Sequence, residues 1–309
     1  MCQDRCENQN PELCTARTEP DMNRGEDWFS NDEIKNPAFH NYMKVYVPYC
    51  SSDLYAGTKA SSEETGNFFF YGKEIIAAVK ASLMENFGLS TMETVVLMGG
   101  SAGGIGTWEN CNDFSGNFTL KCIIDSAGWM PWWFFPSHCQ VVAKIMVQMA
   151  AMFHGSQDDQ KCVDDNVDDP LGILQCGILS TAYPYINHDM FFMENQEDTV
   201  YEEQMLLVCP IDNENRTEFL QNLKAAAVAG LRDSPILKPD IGFYYPDCRG
   251  HELFFHPRDY LINDGSQDVT LNDAVKAWLD GANDVHLIGK AGEKCPHHSG
   301  AESSFRLIF

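Results

Sequence analysis

No stretch of the sequence approaches the roughly 20 consecutive apolar residues that a membrane-spanning helix needs. The most aromatic run, residues 129–135, is short and interrupted by Pro131. Basic residues are scarce. With 21 Lys and Arg against 45 Asp and Glu the formal charge is −24, so a nucleic acid would meet net repulsion before any local contact formed. No Cys-x-x-Cys pair suggests a zinc site. Internal repeats and low-complexity tracts are also missing. The opening Met-Cys-Gln-Asp-Arg-Cys-Glu has no basic stretch followed by an apolar one, so it carries no visible secretory leader. Nucleic-acid partners, spanning segments and metal sites are thereby set aside.

What is plentiful is cysteine. Twelve residues, an even number, are spread from Cys2 to Cys295, a pattern that reads as disulfide bonds and an oxidising, extracellular compartment. Two glycosylation acceptors, Asn117-Phe118-Thr119 and Asn215-Arg216-Thr217, agree with export. Residues 1–40 are polar and lack periodicity, which reads as irregular surface chain tied down by covalent links. The chain as a whole is an ordinary globular mixture, 44% hydrophobic and 21% charged, and one domain over residues 1–309 is the simplest organisation.

Local patterns place several elements. Tyr-Met-Lys-Val-Tyr-Val-Pro-Tyr, residues 42–49, alternates as a strand does, with Pro48 ending its ladder. Ile75, Ile76, Val79, Leu83 and Phe87 recur at helical spacing, and Gly88 follows where a left-handed residue would terminate the helix. Thr94-Val95-Val96-Leu97-Met98 and Leu120-Lys121-Cys122-Ile123-Ile124-Asp125 are short apolar runs of the kind buried on both faces of a parallel sheet. A further helix is expected from Leu271, with Thr270 and Asp273 at capping-box spacing and Gly281 just past its end. Helices alternating with buried strands make an α/β layering.

The sharpest chemical feature is Gly99-Gly100-Ser101-Ala102-Gly103-Gly104, which follows a buried strand and fits the Gly-x-Ser-x-Gly nucleophile elbow. A sharp strand-to-helix turn crowds its neighbours, so the flanking positions must be small, and here all are Gly or Ala. Such a turn would present Ser101 Oγ at the carboxyl end of the sheet, with the Ala102 N–H and the helix start favouring an oxyanion. A phosphate loop would need a lysine after its glycines, where Ile105-Gly106-Thr107 has none, and a dinucleotide fingerprint would need a third glycine.

A serine hydroxyl is a weak nucleophile at neutral pH, so this reading requires a histidine base and an acid to orient it, in the chain order Ser, Asp/Glu, His. The downstream candidates are His188, His251, His256, His286, His297 and His298. Among them His251 stands in Cys248-Arg249-Gly250-His251-Glu252, a loop that a cysteine could anchor. A surface histidine is the competing reading. For the acid there are Asp189, Glu194, Glu197 and Asp198, most of them expected to be solvated, and composition does not choose among them.

Taken together, these blocks resemble the pectin acetylesterase/Notum family of secreted carboxylesterases. Tyr49-Cys50-Ser51-Ser52-Asp53-Leu54-Tyr55-Ala56-Gly57, Gly100-Ser101-Ala102-Gly103-Gly104 and Asp125-Ser126-Ala127-Gly128-Trp129 resemble family segments in the same order and at similar spacing. The likeness runs from about Cys2 to Val275-Lys276-Ala277-Trp278. It implies an α/β-hydrolase-like, mostly parallel sheet with flanking helices and disulfide-bonded loops. It carries the serine onto Ser101, the histidine onto His251 and the acid onto Asp198, with Asp189 in reserve. Neither metal nor organic cofactor is implied.

The family has a strand and a Gly-Gly-Trp-Cys-like loop, a source of oxyanion N–H groups, ahead of the region matching Cys2. The expectation is therefore an N-terminally incomplete chain or a non-catalytic relative, with Ala102 as the remaining donor. The resemblance leaves two ester substrates, O-acetyl groups on pectin-like polysaccharide and a fatty acyl group on a secreted protein, the first being the default. The charge of −24 counts against tight contact with a polyanion. Trp129 and Trp132 are candidates to line a sugar or acyl site, with a buried aromatic cluster as the alternative. A catalytically silent binding protein using the same cleft is the reading from another class.

Overall fold

The computed structural model describes residues 27–128, 160–165, 176, 179–209, 211–212, 214–232, 241–296 and 306–308. Strand β1 (Tyr46–Pro48) is followed by helix α1 (Gly72–Asn86), β2 (Thr94–Gly100), α2 (Ala102–Asn110), β3 (Thr119–Asp125) and β4 (Asp189–Met193). Then come the two-residue β5 (Glu197–Asp198), α3 (Thr199–Val208), α4 (Arg216–Arg232), β6 (Gly242–Tyr245) and the two-residue β7 (Arg249–Gly250). The short hairpin β8 (Leu261–Asn263) and β9 (Asp268–Thr270) leads into α5 (Leu271–Leu279), β10 (His286–Ile288) and β11 (Arg306–Ile308).

Among the described residues the main sheet has the order β1-β11-β2-β3-β4-β6-β10. The five strands from β2 to β10 are parallel, while β11 runs antiparallel to both β1 and β2. Side chains alternate between the two faces of these strands, and both faces are covered, which is why the strands read as unbroken apolar runs. Val95, Leu97, Ile124, Phe192 and Phe243 pack with Ile76 and Leu83 of α1, Trp108 of α2, and Ala227 and Leu231 of α4. Val96, Met98, Ile123, Phe191, Met193 and Tyr244 pack with Leu271, Ala274, Val275 and Trp278 of α5. This is an α/β architecture of helices on both faces of a mostly parallel sheet.

Most of the expected elements form. Helix α1 stops at Phe87, and Gly88 takes the left-handed φ of 70°. Helix α5 starts where its cap predicts: Asp273 N–H donates to Thr270 Oγ1 at 3.1 Å, although Thr270 Oγ1 donates in turn to the Asp273 carboxylate rather than the carboxylate taking the Thr270 N–H. The strand expected over residues 42–49 shrinks to Tyr46–Pro48. Its first half is instead irregular chain after a turn, with Tyr42 N–H donating to the Phe39 carbonyl and Lys44 Nζ reaching the carbonyls of His40 and Tyr42. The described part of the N-terminal segment is irregular, as expected, but it is not surface chain. Trp28, Ala38 and Phe39 are buried against the α5 face, and the Trp28 indole donates to Asn272 Oδ1.

The loop before α1 braces the helix that follows β2. Asp53 is buried, and its carboxylate accepts the N–H groups of Tyr55 (3.1 Å) and Gly72 (2.7 Å) and the Ser51 hydroxyl (2.5 Å). Tyr55 is thereby pressed onto α2, where an added Cβ on Gly106 would lie 2.8 Å from Tyr55 Cβ. Asn110 Nδ2, one helical turn further along, donates to the Tyr55 carbonyl at 3.0 Å.

Candidate active site

The site is built where the parallel strands end. Ser101 is the single residue between β2 and α2, with φ 55° and ψ −121°, a backbone region that a non-glycine residue enters only when its surroundings hold it there. Three successive parallel strands continue their ladder by one further bond: Ser101 N–H donates to the Asp125 carbonyl, Ser126 N–H to Met193, and Glu194 N–H to Tyr244. The turn is as crowded as its composition demands. A Cβ on Gly104 would lie 2.6 Å from the Asp125 carbonyl oxygen and 2.9 Å from Ala127 Cβ. One on Gly100 would meet the Phe254 ring and stand 2.6 Å from Glu252 Oε1. Ala102 opens α2, so its N–H has no acceptor within the helix and lies at the positive end of the helix dipole.

His251 and Asp198 are brought together by the smallest sheet in the molecule. Parallel strands β5 and β7 pair Glu197 with Arg249 and Asp198 with Gly250, which places His251 one residue beyond the ladder beside the carboxylate. His251 Nδ1 lies 2.8 Å from Asp198 Oδ2 and 3.0 Å from Oδ1. A carboxylate can only accept, so Nδ1 carries the proton and Nε2 presents its lone pair. Asp198 is itself buried, and as the residue before α3 it caps that helix, accepting the Tyr201 N–H at 2.9 Å. The helix start and the imidazole N–H thus both face the negative charge. His251 Nε2 is buried and makes no hydrogen bond, to Ser101 Oγ or to any other described group. A disulfide from Cys248 to Cys295 ties down the loop three residues before His251.

Three further residues, unassigned by the sequence reading, join the serine turn to the histidine loop. Asp125, fully buried at the end of β3, accepts the N–H groups of Leu253 (2.8 Å) and Phe254 (3.0 Å) on Oδ2 and the Ser126 hydroxyl (3.0 Å) on Oδ1. Ser126 Oγ in turn accepts the Glu252 N–H at 2.9 Å. Burial pushes the Asp125 carboxyl up to about 7, against the lowering effect of these hydrogen bonds and of His251. Glu252 is buried with Oε1 unpartnered, and burial, reinforced by the charges of Asp125 and Asp198, holds its carboxyl well above the usual range. Asp125-Ser126 stood out in the sequence only as part of a resembling block. Nothing local to it announced a contact with residues more than 120 positions away.

The other candidates are dispersed. Asp189 starts β4, at the opposite end of the strand from the site, and pairs with Lys121 at 2.9 Å. The expectation that most acids after β4 are solvated is overturned for Glu194 and Asp198, which are buried where the chain crosses from β4 to β5. His286 Nε2 bonds the Ile241 carbonyl and stacks on Phe243, and exposed His256 approaches Asp259. Trp129, Trp132, His297 and His298 lie outside the described residues. Asn117 and Asn215 are both exposed. No cluster of three metal-ligating side chains occurs among the described residues, and no described helix is long and apolar enough to cross a membrane. An apolar cavity of about 340 Å³, lined by Trp28, Phe39, Leu83, Val96 and Phe114 among others, follows the body of β2 and is not lined by Ser101, Asp198 or His251.

The chain matches the sequence pattern of the Pectinacetylesterase family over residues 1–298. It is 34% identical over 311 residues to the palmitoleoyl-protein carboxylesterase NOTUM of Homo sapiens, an alignment that covers 93% of this chain and 58% of that protein. With palmitoleoyl-protein carboxylesterase notum1a of Danio rerio the identity is 23% over 325 residues, 94% of this chain and 61% of the relative. The chain thus spans about three-fifths of the length of these two relatives. The structure of the Wnt deacylase Notum from Drosophila superposes with a TM-score of 0.76 at 21% identity, covering 96% of this chain and 86% of the other, a likeness of fold.

Proposed function

The chain belongs to the pectinacetylesterase family, and from that premise we propose that residues 1–309 form one catalytic domain, a serine carboxylesterase. Ser101 is its nucleophile, His251 its general base and Asp198 the group that orients the imidazole. The observation that carries this reading is the state of His251: Asp198 occupies Nδ1, while Nε2 is left buried and without a partner. A buried ring nitrogen with no bond costs stability, and a role in proton transfer explains why such a group is kept. The constrained Ser101 turn lies across the Asp125 bridge from the same loop.

In this reading Ser101 Oγ attacks the acyl carbonyl as its proton passes to His251 Nε2. The imidazolium formed is stabilised by Asp198 and returns the proton to the departing alcohol, leaving an acyl-serine. Water then attacks that ester, its proton passing to Nε2, and Ser101 is restored. Ala102 N–H donates to the oxyanion at both stages, a contribution of about 10²–10³-fold for one donor. The steps require only the chain's own groups and water.

For the substrate, the family supports O-acetyl groups on pectin-like polysaccharide. The identity with relatives named palmitoleoyl-protein carboxylesterases favours a second reading, removal of a fatty acyl group from a secreted protein. The charge of −24 weighs toward this second reading, because pectin is itself polyanionic. Secretion is supported by the three disulfides seen among the described residues. The test is hydrolysis of p-nitrophenyl esters from acetyl to hexadecanoyl by the protein and its Ser101→Ala variant. Turnover that vanishes in the variant supports the esterase, and the best chain length separates the two substrates. Equal turnover by both proteins removes Ser101 from the mechanism.

A further inference from the structure

Two contacts of one residue span the two halves of the site. The main-chain oxygen of Asp125 accepts the Ser101 N–H at 2.9 Å, and its side chain accepts the N–H groups of Leu253 and Phe254. With Ser126 Oγ taking the Glu252 N–H, all three backbone donors that follow His251 end on the dipeptide Asp125-Ser126. Glu252 has φ 60°, a left-handed residue that lets successive N–H groups converge into a concave anion cradle. The imidazole hangs from the residue immediately before that cradle.

We infer that Asp125 is a positioning residue, a side-chain clamp that fixes the reach of His251 toward Ser101 through the backbone of residues 252–254. The inference rests on the proposed roles of Ser101 and His251. The other supports for the imidazole are Asp198, which sets its tautomer and tilt, the β5–β7 ladder, which sets His251 beside that carboxylate, and the Cys248–Cys295 bond, which holds the loop further back. None of the three ties the loop to β2 or to the strand beside it. Asp125 does, because it belongs to the strand hydrogen-bonded beside β2. A carboxyl is a costly choice at a fully buried position, as an apolar side chain would pack there without desolvation. It suits a place where one small side chain must receive two N–H groups on one oxygen and a hydroxyl on the other.

The test is a double-mutant cycle on p-nitrophenyl acetate, with Asp125→Ala and Asp125→Asn each made alone and combined with His251→Ala. Asp125→Ala is expected to lower kcat about 100-fold with KM within about 3-fold, the penalty of a misplaced catalytic group. Asp125→Asn retains an acceptor for the two N–H groups and is expected to restore kcat to within about 10-fold of the parent. In the His251→Ala background, Asp125→Ala is expected to cost less than about 2-fold, because it acts through the imidazole. Equal losses in both backgrounds, or full kcat in Asp125→Ala, overturn the inference. Where Asp125→Ala does not fold, Ser126→Ala releases the Glu252 tether and the hydroxyl bond to Asp125 Oδ1, while the Leu253 and Phe254 N–H groups keep their acceptor on Oδ2. It is expected to lower kcat about 10-fold, again only when His251 is present, and unchanged kcat there overturns the clamp. Unchanged turnover in Ser101→Ala removes the site assignment and this inference with it, and is read independently of the cycle.

Discussion

Asp198 serves two masters at once: its carboxylate meets His251 Nδ1 at 2.8 Å and also caps α3 by accepting the Tyr201 N–H at 2.9 Å. The helix fixes the carboxylate, and the carboxylate fixes the ring. Asparagine caps a helix nearly as well as aspartate, but its amide can present an N–H to Nδ1 and favour the wrong tautomer. Asp198→Asn is therefore expected to lower kcat by about 10³–10⁴-fold while thermal unfolding stays within a few degrees of the parent. Ester kinetics beside a melting curve check this. A variant of parental kcat would mean that Asp198 acts only as a cap.

The elements legible in the sequence are those whose causes are local. Helix α5 begins and ends where Thr270, Asp273 and Gly281 place it, and the turn around Ser101 needs small neighbours for reasons visible within six residues. The proposed acid was not legible in that way. Asp198 differs from Asp189 and Glu194 by a two-residue ladder to Gly250, a pairing across the fold that leaves no periodic trace. The burial of Asp125 and Glu252 is equally non-local, since each is covered by the other's loop. Resemblance supplied Asp198 where the residues alone left several acids open.

Crowding at the serine turn makes a contrast between two glycines. At Gly104 a methyl group would press on the Asp125 carbonyl oxygen at 2.6 Å, a backbone atom fixed by the sheet, so α2 must shift. Gly104→Ala is expected to destabilise by about 1–3 kcal/mol and to depress ester turnover as Ser101 moves. Gly230, within α4, has no neighbour in the way, and Gly230→Ala is expected to stabilise by about 0.5–1 kcal/mol. Urea unfolding of the two variants gives opposite signs if α2 is as tightly seated as the distances say.

The disulfide beside the histidine loop closes 47 residues, from Cys248 to Cys295. Chain-entropy reasoning gives such a link about 4 kcal/mol, through the unfolded state. The paired variant Cys248→Ser with Cys295→Ser is expected to lose about 2–4 kcal/mol in denaturant unfolding. Its kcat is expected to fall more than its KM rises, because Cys248 directly precedes the β7 residues that align His251 with Asp198. Unaltered kinetics in a folded paired variant would show that β5 and β7 hold their register unaided.

Buried carboxyls give the stability a pH dependence of definite sign. Asp125 titrates near 7 in the folded protein against 3.8 for an ordinary aspartate, because burial disfavours its charge. Between those values the unfolded chain has released a proton that the folded chain retains, so raising the pH favours unfolding. The stabilisation is complete below about pH 4 and lost by about pH 7, amounting to at most about 4 kcal/mol for this one group. Glu252, shifted the same way, adds to the trend. Asparagine cannot ionise, so Asp125→Asn is expected to show a smaller fall in unfolding free energy between pH 4.5 and 8 than the parent. Denaturant titrations at the two pH values measure it, and parallel falls in both proteins would mean that Asp125 is ionised throughout and that its N–H donors outweigh its burial.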